Sequence, residues 1–424
     1  MTVDPTPGES VPARPRKVAI VHYWLVTMRG GERVLERICD LYPDADIFTH
    51  VVDEAALSQT LKRHRIFSTF ISKLPLAKTQ YQKYLPLMPA ALEALDLSAY
   101  DLVISCEAGP AKGVITRPDA VHVTYCHSPM RYIWDQYHAY RKASGKLAGL
   151  YLRLVAPRMR AWDRMSASRP DVIMANSQFV RRRIGKFWGR EASVVYPPVD
   201  VDIFQRTDAL SDECVWISQL VPYKRPDIAV DAFTRSGRKL HVIGDGPMLE
   251  TLKARAGPNV RFTTRMRFDE LRAAYAQARA LIFTAEEDFG IIPVESQAAG
   301  RPVVVFGRGG GTETVIDGET GIHFHEQSAE SLIAAMERFD AWLPGFDPEA
   351  AIANASRFAR ANFLRDFAAE VARAERLVAA DSVLASGRER ANTDRLPQAA
   401  FLPVAEGSLA PNRDTGGNPA DVDG

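Results

Sequence analysis

The sequence predicts an α/β fold made of two successive doubly wound parallel sheets. A chain of 424 residues exceeds what a single hydrophobic core usually serves, so two domains are expected. From Lys17 onward, short β-branched or apolar runs alternate with longer helical stretches, as in parallel sheets covered by helices. The composition, 46% apolar and 25% charged, is that of an ordinary globular protein.

The first domain is predicted over residues 17–205. It follows a Pro-rich polar leader, residues 1–16, which lacks the apolar core of a secretory signal and is expected to be disordered. The first predicted helix is Gly31–Leu41. The predicted strands are Val18–Leu25, Ala45–Thr49, Leu102–Cys106, His122–Tyr125, Val172–Ala175 and Val194–Tyr196.

The second domain is predicted over residues 206–350, because Pro197-Pro198 and a polar stretch interrupt the alternation. Residues 351–380 are predicted as one or two amphipathic helices. Residues 381–424 lose apolar periodicity and are predicted to be an unstructured tail. The predicted strands are Val215–Ser218, Leu240–Ile243, Val260–Thr263, Ala280–Thr284 and Val303–Val305.

Net charge and cysteine content argue against several classes of protein. With a formal net charge of +1 the chain is not expected to bind nucleic acid, which normally requires a clearly basic domain. Its four cysteines form no C-x-x-C pair, which indicates reduced thiols in a cytoplasmic setting. No run of 18 apolar residues occurs, so any membrane contact is expected to be peripheral.

Two glycine-rich turns each follow a predicted strand and open a helix. The first is Gly30-Gly31, and the second contains Gly309 and Gly310 before a helix that starts near Thr312. Glycine lets a backbone approach a ligand, and a helix N-terminus presents free N–H groups to a phosphate. The first turn is equally compatible with an ordinary strand-to-helix connection, whereas the glycine run in the second favours an anion-binding nest. The two turns could face one diphosphate across a cleft.

Two glutamates, Glu287 and Glu295, follow the strand Ala280–Thr284 with seven residues between them. If one lies on the strand-end loop and the other in the next helix, both carboxylates can reach one ligand. Carboxylates suit hydrogen bonds to the vicinal hydroxyls of a sugar or ribose. A helix N-terminus decorated with acids is the alternative, and the spacing alone does not decide between them.

These segments together resemble the retaining glycosyltransferases of family 4, from about residue 17 to residue 375. The central match runs from Glu287 to Glu295 and continues through Ala298-Ala299-Gly300-Arg301-Pro302. The resemblance implies the GT-B fold, in which two Rossmann-like domains hold a nucleotide sugar in the cleft between them, and it implies hexosyltransferase activity. The other matching segments are Gly30-Gly31, Ala175-Asn176-Ser177, Tyr196-Pro197-Pro198-Val199-Asp200, Val221-Pro222-Tyr223-Lys224, Ile243-Gly244-Asp245-Gly246-Pro247 and Asp317-Gly318-Glu319-Thr320-Gly321.

The resemblance implies catalytic roles for three residues. His127 would hydrogen-bond a hydroxyl of the reacting sugar, and Lys224 would place its ammonium against the diphosphate of the departing nucleotide. Glu287 would accept hydrogen bonds from the donor sugar. Retention without an evident enzymic nucleophile implies front-face attack, in which the departing phosphate oxygen takes the acceptor proton. On this mechanism the protein contributes positioning and electrostatics.

The same resemblance implies the rest of the donor-binding set. Gly31 would present its amide to the diphosphate, amides near Phe289 and Gly290 would assist Glu287, and Glu295 would bind the ribose hydroxyls. D-x-D strings at 44–46 and 200–202 lie where the family has structural segments only. We therefore expect a metal-independent enzyme without a cofactor other than its nucleotide-sugar substrate.

One position departs from the family pattern. Many relatives carry an arginine five residues before the lysine that corresponds to Lys224, and Gln219 stands there in this chain. Glutamine carries no charge, so one positive partner of the leaving group is missing; Arg225 is a candidate to replace it, although neighbouring side chains usually diverge. The departure motivates an alternative, a catalytically impaired protein that binds nucleotide sugar as a regulatory or assembly partner. A sugar-nucleotide epimerase is a third interpretation, and the two glutamates argue against it.

Two motifs resemble bacterial O-antigen and exopolysaccharide mannosyltransferases and favour GDP-mannose as donor: Tyr23-Trp24-Leu25 with Arg29-Gly30-Gly31-Glu32, and the run Tyr125–Tyr132. A lipid-linked or polysaccharide acceptor in cell-surface glycan synthesis, such as lipopolysaccharide, is then expected. Basic residues mix with aromatic and aliphatic ones at Leu61–Leu92 and Arg141–Arg169, which suits an anionic membrane surface; internally packed helix faces are the alternative. We therefore expect a cytoplasmic protein at the cytoplasmic face of the inner membrane.

Overall fold

A computed structural model describes residues 16–143 and 145–393 of the chain. The leader predicted at residues 1–16 lies outside these residues, apart from Arg16. By their contacts the residues divide into two units, Met1–Ala379 and Ala380–Gly424, and both sheets belong to the first unit.

The first sheet contains seven parallel strands in the order β3-β2-β1-β4-β5-β6-β7. Its central strands β4 and β5 are buried at every residue, as expected for a sheet covered by helices on both faces. The strands are β1 Val18–His22, β2 Asp46–Thr49, β3 Ile66–Ser68, β4 Leu102–Glu107, β5 Val121–Cys126, β6 Val172–Ala175 and β7 Ser193–Val194.

The second sheet contains six parallel strands in the order β10-β9-β8-β11-β12-β13. In both sheets the order reverses beside the first strand of that sheet, and this is the position at which doubly wound sheets bind ligands. The predicted α/β architecture is therefore confirmed. The strands are β8 Cys214–Ile217, β9 Leu240–Ile243, β10 Val260–Thr263, β11 Leu281–Phe283, β12 Val303–Phe306 and β13 Gly321–Phe324.

Helices connect most of the strands, and short 3-10 turns complete several connections. The predicted helix Gly31–Leu41 is observed with one more residue at its N-terminus. The helices are α1 Gly30–Leu41, α2 Ala77–Gln80, α3 Met88–Glu93, α4 Tyr137–Ala143, α5 Lys146–Ser166, α6 Gln178–Trp188, α7 Pro226–Ser236, α8 Leu249–Arg255, α9 Phe268–Gln277, α10 Ile291–Ala298, α11 Gly311–Thr314, α12 Ala329–Trp342, α13 Pro348–Ser356 and α14 Arg360–Thr393.

The C-terminal helix α14 returns to the first sheet. Phe363 and Phe367 are fully buried and share a hydrophobic core with Ile20 of β1 and Tyr125 of β5. The two phenylalanine rings pack against the Tyr125 ring with centroids 5.7 and 6.1 Å away. The segment that follows the second sheet in sequence thus completes the core of the first.

Helix α14 also continues to Thr393, thirteen residues into the predicted tail. Those residues include Ala, Leu, Arg and Glu, which are strong helix formers, so the tail prediction ends the helix too early. The remainder of the predicted tail, residues 394–424, lies outside the described residues. Within the described ranges no helix is long and apolar enough to cross a membrane.

Candidate functional site

A cavity of about 640 Å³, called the main cavity below, opens at the carboxyl ends of the strands of the first sheet and reaches loops of the second sheet. Trp24 lies beyond β1, and Arg131 lies in the loop after β5. Tyr223 and Asp288 come from the second half of the chain. Aromatic and aliphatic side chains dominate the walls, and a few charged groups converge on them, as in small-molecule binding sites.

The first glycine turn opens α1 beside this cavity. A methyl group on Gly31 would lie 2.2 Å from the Tyr23 hydroxyl oxygen and 3.7 Å from His127 Nε2. A methyl group on Gly30 would lie 3.5 Å from the Cδ1 atom of Ile291, the first residue of α10. The structure therefore brings the N-termini of α1 and α10, one from each half, next to each other.

His127 follows β5 directly, and its backbone N–H donates to the carbonyl of Glu107 over 2.8 Å. Burial lowers the pKa of its imidazole to about 3, so the ring is neutral at physiological pH. Its Nε2 is buried, and no described residue forms a hydrogen bond with it. The ring beside Gly31 is thus neutral, with one nitrogen that has no hydrogen-bond partner among the described residues.

Lys224 ends the 3-10 turn Pro222–Lys224, and its ammonium forms an ion pair with Glu287. The two residues are thus neighbours. Burial, together with the cations Arg131 and Arg29, lowers the pKa of Lys224 to about 7. The Asp288 carboxylate acts in the opposite sense and favours the ammonium form.

Phe289 and Gly290 complete the loop that carries Glu287. The Phe289 side chain is buried, with its ring 5.8 Å from that of Tyr196 and 5.2 Å from that of Phe358. Gly290 has a left-handed φ of 94° and stands directly before α10, a conformation that side-chain-bearing residues rarely adopt. Phe289 thus anchors the loop in the core, so only its backbone is available to a ligand.

Glu295 lies on α10 and lines a second cavity of about 320 Å³ with Arg33 of α1 and Asp200. The Tyr275 hydroxyl donates a 2.7 Å hydrogen bond to Glu295 Oε2. Burial raises the pKa of the Glu295 carboxyl above its usual value. The two predicted glutamates therefore face different places, Glu287 towards Lys224 and Glu295 towards α1.

The second glycine turn packs against the Glu287 loop. The N–H of Gly310 donates to the Glu287 carbonyl over 2.8 Å, and a methyl group on Gly310 would lie 2.3 Å from Phe289 Cα. Gly309 has a φ of 71°, and a methyl group there would lie 2.5 Å from the Glu287 carbonyl oxygen. Gly309 and Thr312 line a separate cavity of about 360 Å³. Close backbone packing thus accounts for these glycines.

Gln219 and Arg225 lie in different environments. Gln219 is exposed, in the turn after β8. The Arg225 guanidinium forms three hydrogen bonds of 3.0, 3.2 and 2.9 Å with Asp227 at the start of α7. Arg225 also has a left-handed φ of 54°, and its carbonyl accepts a hydrogen bond from Thr284. The cations that act on Lys224 are Arg131 and Arg29 instead.

Two contacts between the first and second halves of the chain were not predicted from the sequence. Asp288 accepts hydrogen bonds from Arg131 and Arg183, which belong to the first half. Glu313 of α11 accepts the backbone N–H groups of Gln178 and Phe179, at 2.7 and 2.8 Å, at the N-terminus of α6. An acid at an otherwise unsatisfied helix N-terminus is a detectable signal, but its partner helix lies more than 130 residues away.

Among the residues that the structure describes, no three His, Cys, Asp or Glu side chains are grouped so as to hold a metal ion. In the first D-x-D string, the Asp46 carboxylate is occupied by Arg65, at 2.7 and 2.6 Å, and by the Tyr100 hydroxyl. In the second string, Asp200 lines the cavity beside Glu295.

The chain matches two family models, which together cover well over half of it. Residues 28–203 match the model described as Glycosyltransferase Family 4, and residues 211–339 match Glycosyl transferases group 1. The boundary between the matched segments falls between the two sheets.

Curated relatives are mannosyl- and other glycosyltransferases. A GDP-mannose-dependent α-(1-6)-phosphatidylinositol monomannoside mannosyltransferase of Mycobacterium tuberculosis is 31% identical over 198 residues, or 39% of this chain and 51% of the relative. A D-inositol 3-phosphate glycosyltransferase of Acidothermus cellulolyticus is 32% identical over 224 residues, 44% of this chain and 50% of the relative. The chain spans about half the length of the curated relatives it matches.

Solved structures share the fold at low sequence identity. HepE of Anabaena, solved in complex with UDP, superposes with a TM-score of 0.62 at 18% identity and covers 84% of this chain and 99% of its own. The lipopolysaccharide outer core galactosyltransferase WaaB superposes with a TM-score of 0.61 at 15% identity, over 84% of this chain and 99% of its own. These likenesses show a fold shared with glycosyltransferases.

Proposed function

This chain belongs to glycosyltransferase family 4, and from that premise we propose that it transfers a hexosyl residue, with retention, from a nucleotide sugar to an acceptor hydroxyl. The observation that carries the proposal is the Lys224–Glu287 pair. The sequence neighbours of the pair, Tyr223 and Asp288, line the cavity at the end of the first sheet. A cation and a carboxylate side by side suit a donor with a diphosphate on one side and sugar hydroxyls on the other.

In the proposed reaction Lys224 stabilises the charge that develops on the departing diphosphate. Gly30 and Gly31 support the same phosphates with the N-terminus of α1. Glu287 holds hydroxyls of the donor sugar, with backbone amides at Phe289 and Gly290.

His127 hydrogen-bonds the reacting sugar as a neutral imidazole, and Glu295 binds the ribose from its own cavity. Gly309, Gly310 and Thr312 contribute to donor binding by holding the Glu287 loop in place. The departing phosphate oxygen takes the proton of the acceptor hydroxyl, so the protein contributes positioning and electrostatics and no metal or cofactor.

We propose GDP-mannose as the donor. The mycobacterial relatives are named as GDP-mannose-dependent enzymes, and the sequence motifs around Arg29 and His127 favour the same donor. HepE, with lower identity, was solved with UDP and with UDP-glucose, which makes UDP-sugars the alternative to exclude.

Ligand-dependent thermal unfolding tests the donor. GDP, UDP, ADP, GDP-mannose and UDP-glucose are compared, each with and without EDTA. A ligand at 100 times its dissociation constant adds about 2.7 kcal/mol to the free energy of unfolding. Selective stabilisation by GDP and GDP-mannose that survives EDTA is expected, whereas stabilisation by UDP alone would overturn the donor assignment.

Turnover of GDP-mannose tests the activity. Lys224→Met should lower kcat by about 10²–10³ while GDP still binds, because the cation acts on charge that develops in the transition state. Lys253→Met, an exposed lysine on α8, is the matched control and should keep the parental rate.

The second candidate function is an impaired protein that binds nucleotide sugar as a regulatory or assembly partner. Gln219 in place of the family's arginine favours it, as does the engagement of Arg225 by Asp227. Binding of GDP-mannose without any turnover would support this function over the first.

The acceptor proposed is lipid-linked or a glycan at the cytoplasmic face of the inner membrane. Leu147, Leu150 and Leu154 of α5 are 86%, 53% and 66% exposed and share one face of the helix. Arg153 and Arg158 are exposed on the same helix. An apolar ridge with basic neighbours suits an anionic lipid surface.

The opposite side of the same helix lines the main cavity through Ala148 and Leu152. A lipid-anchored acceptor could therefore reach the cavity from the membrane. Replacing the three leucines by serine should abolish co-sedimentation with phosphatidylglycerol vesicles, whereas Leu210→Ser, an exposed leucine elsewhere, should not. Equal binding by both variants would contradict the membrane proposal.

A further inference from the structure

Asp288, an acid without a part in the mechanism above, lies next to Glu287 and lines the main cavity. Its Oδ1 atom accepts a 2.7 Å bond from Arg131 Nη2 and a 2.8 Å bond from Arg183 Nη1. Both arginines belong to the first half of the chain, Arg131 in the loop after β5 and Arg183 on α6. The loop that carries Glu287 is therefore held from the opposite side of the cleft.

Arg183 is a fixed anchor for this contact. Its side chain is 6% exposed, and it also donates to Ser128 Oγ at 2.8 Å, the Pro129 carbonyl at 3.1 Å and Asp135 Oδ1 at 2.7 Å. A guanidinium with so many bonds has little freedom to follow the loop. The Asp288 carboxylate is therefore bound to a side chain that is itself fixed.

Asp288 also alters the charge around Lys224. The groups that face the Lys224 ammonium are the Glu287 carboxylate, the Arg131 and Arg29 guanidinium groups, Asp288 and the Tyr223 ring, whose centroid is 5.3 Å away. Arg131 and Arg29 lower the pKa of Lys224, and Asp288 opposes them. Without Asp288 the charge of Arg131 would lower the pKa of Lys224 further.

We propose that Asp288 is a positioning residue that fastens the Glu287 loop to Arg131 and Arg183 and offsets the positive charge of Arg131 beside Lys224. In this role Asp288 touches neither donor nor acceptor. It acts through Glu287 in the loop and Lys224 in the cleft. The inference rests on the proposed function, because its consequence is the charge of Lys224 during transfer.

The variant Asp288→Asn tests the proposal, since it keeps the shape of the side chain and removes its charge. Hydrolysis of GDP-mannose, with water as acceptor, is measured from pH 6 to 9. The rate should fall as the pH rises and Lys224 loses its proton. In Asp288→Asn this alkaline limb should move to lower pH by roughly half a unit or more.

Arg131 provides the reciprocal test. Arg131→Gln removes a positive charge, so its alkaline limb should move to higher pH, and the double variant should return close to the parent. Structural damage alone does not produce shifts of opposite sign that cancel. Asp135→Asn is the matched control, because Asp135 bonds the same Arg183 guanidinium but does not line the cavity, and its limb should stay in place.

An unmoved limb in Asp288→Asn, or an equal movement in Asp135→Asn, would overturn the inference while the proposed function stands. If Asp288→Asn does not fold, the single variant Arg131→Gln decides: an unmoved limb there overturns the inference as well. Absence of both turnover and nucleotide stabilisation in the parent protein would instead refute the proposed function itself. Thermal unfolding with GDP at each pH separates these outcomes.

Discussion

The two glycine turns look alike in sequence and differ in structure. Gly30-Gly31 follows β1 and opens α1, and Gly309–Gly311 follows β12 and opens α11. The first borders the main cavity, with Gly31 facing the Tyr23 hydroxyl and His127. The second packs on the backbone of the Glu287 loop.

The difference teaches that a glycine-rich helix opening has two physical uses. Absence of a side chain allows close approach of a ligand, and it equally allows close approach of another backbone. The Gly310 N–H already donates to the Glu287 carbonyl, so it stabilises the loop that carries Glu287. One turn is thus suited to holding a ligand, and the other to holding Glu287, which we propose binds the donor sugar.

The largest expected effect is that of Gly310→Ala. The new methyl group would lie 2.3 Å from Phe289 Cα, and backbone atoms cannot move aside as a flexible side chain can. We expect a loss of about 3 kcal/mol in the free energy of unfolding, measured by urea denaturation. Gly345→Ala, with open space around the added methyl group, is the control. Equal stability of the two variants would remove the packing explanation.

The next effect concerns the first turn, where His127 lies beside Gly31. Its folded-state pKa of about 3 lies below the usual value of 6.5, so the unfolded chain binds a proton first as the pH falls. The contribution of this group to the free energy of unfolding is therefore complete above pH 6.5 and is lost progressively as the pH falls towards 3. Between pH 6.5 and 4.5 the parent should lose about 2 kcal/mol more than His127→Gln.

Urea denaturation at the two pH values measures this difference. His138→Gln, which replaces an exposed histidine on α4, should lose as much stability as the parent. Identical pH dependence of the parent and His127→Gln would show that the imidazole beside Gly31 is protonated in the folded protein.

A smaller effect is expected from Gly31→Ala. The added methyl group would lie 2.2 Å from the Tyr23 hydroxyl oxygen and would occupy the opening of α1. GDP affinity should fall about tenfold, or about 1.4 kcal/mol, measured by calorimetry. Gly30→Ala adds a methyl group at an ordinary 3.5 Å contact with Ile291 and should change GDP affinity much less. The reverse order would assign the ligand-facing position to Gly30.

Much of the fold could be predicted because buried parallel strands are short continuous apolar runs. The strands of the second sheet up to β12 lie within a residue or two of their predicted positions. β3, Ile66–Ser68, was missed, because it is a three-residue edge strand whose Phe67 is 43% exposed. The predicted strand Val194–Tyr196 pairs only at Ser193–Val194, after which the chain leaves the sheet edge.

The site could be predicted only in part, because its residues meet across the two halves. The proximity of Lys224 and Glu287 follows from their places after adjacent strands β8 and β11. The Arg225–Asp227 contact joins residues two positions apart and lay within reach of sequence reasoning. The Arg183–Asp288 contact spans 105 residues and depends on how the halves face each other, which no local pattern encodes.

The smallest expected effect, that of Thr312→Val, distinguishes most clearly between the two uses of the glycine turns. Thr312 Oγ1 donates a 2.8 Å hydrogen bond to the Gly309 carbonyl and so closes the second turn. Thr312→Val keeps the shape and should cost about 1 kcal/mol of unfolding free energy. Thr312 lines a cavity apart from Lys224, and the Glu287 loop that it supports is proposed to hold the donor sugar. The affinity for GDP, which carries no sugar, should therefore stay at the parental value. A loss of GDP affinity with unchanged stability would instead give the second turn the direct phosphate contact that its sequence predicts, and the two turns would then share one use.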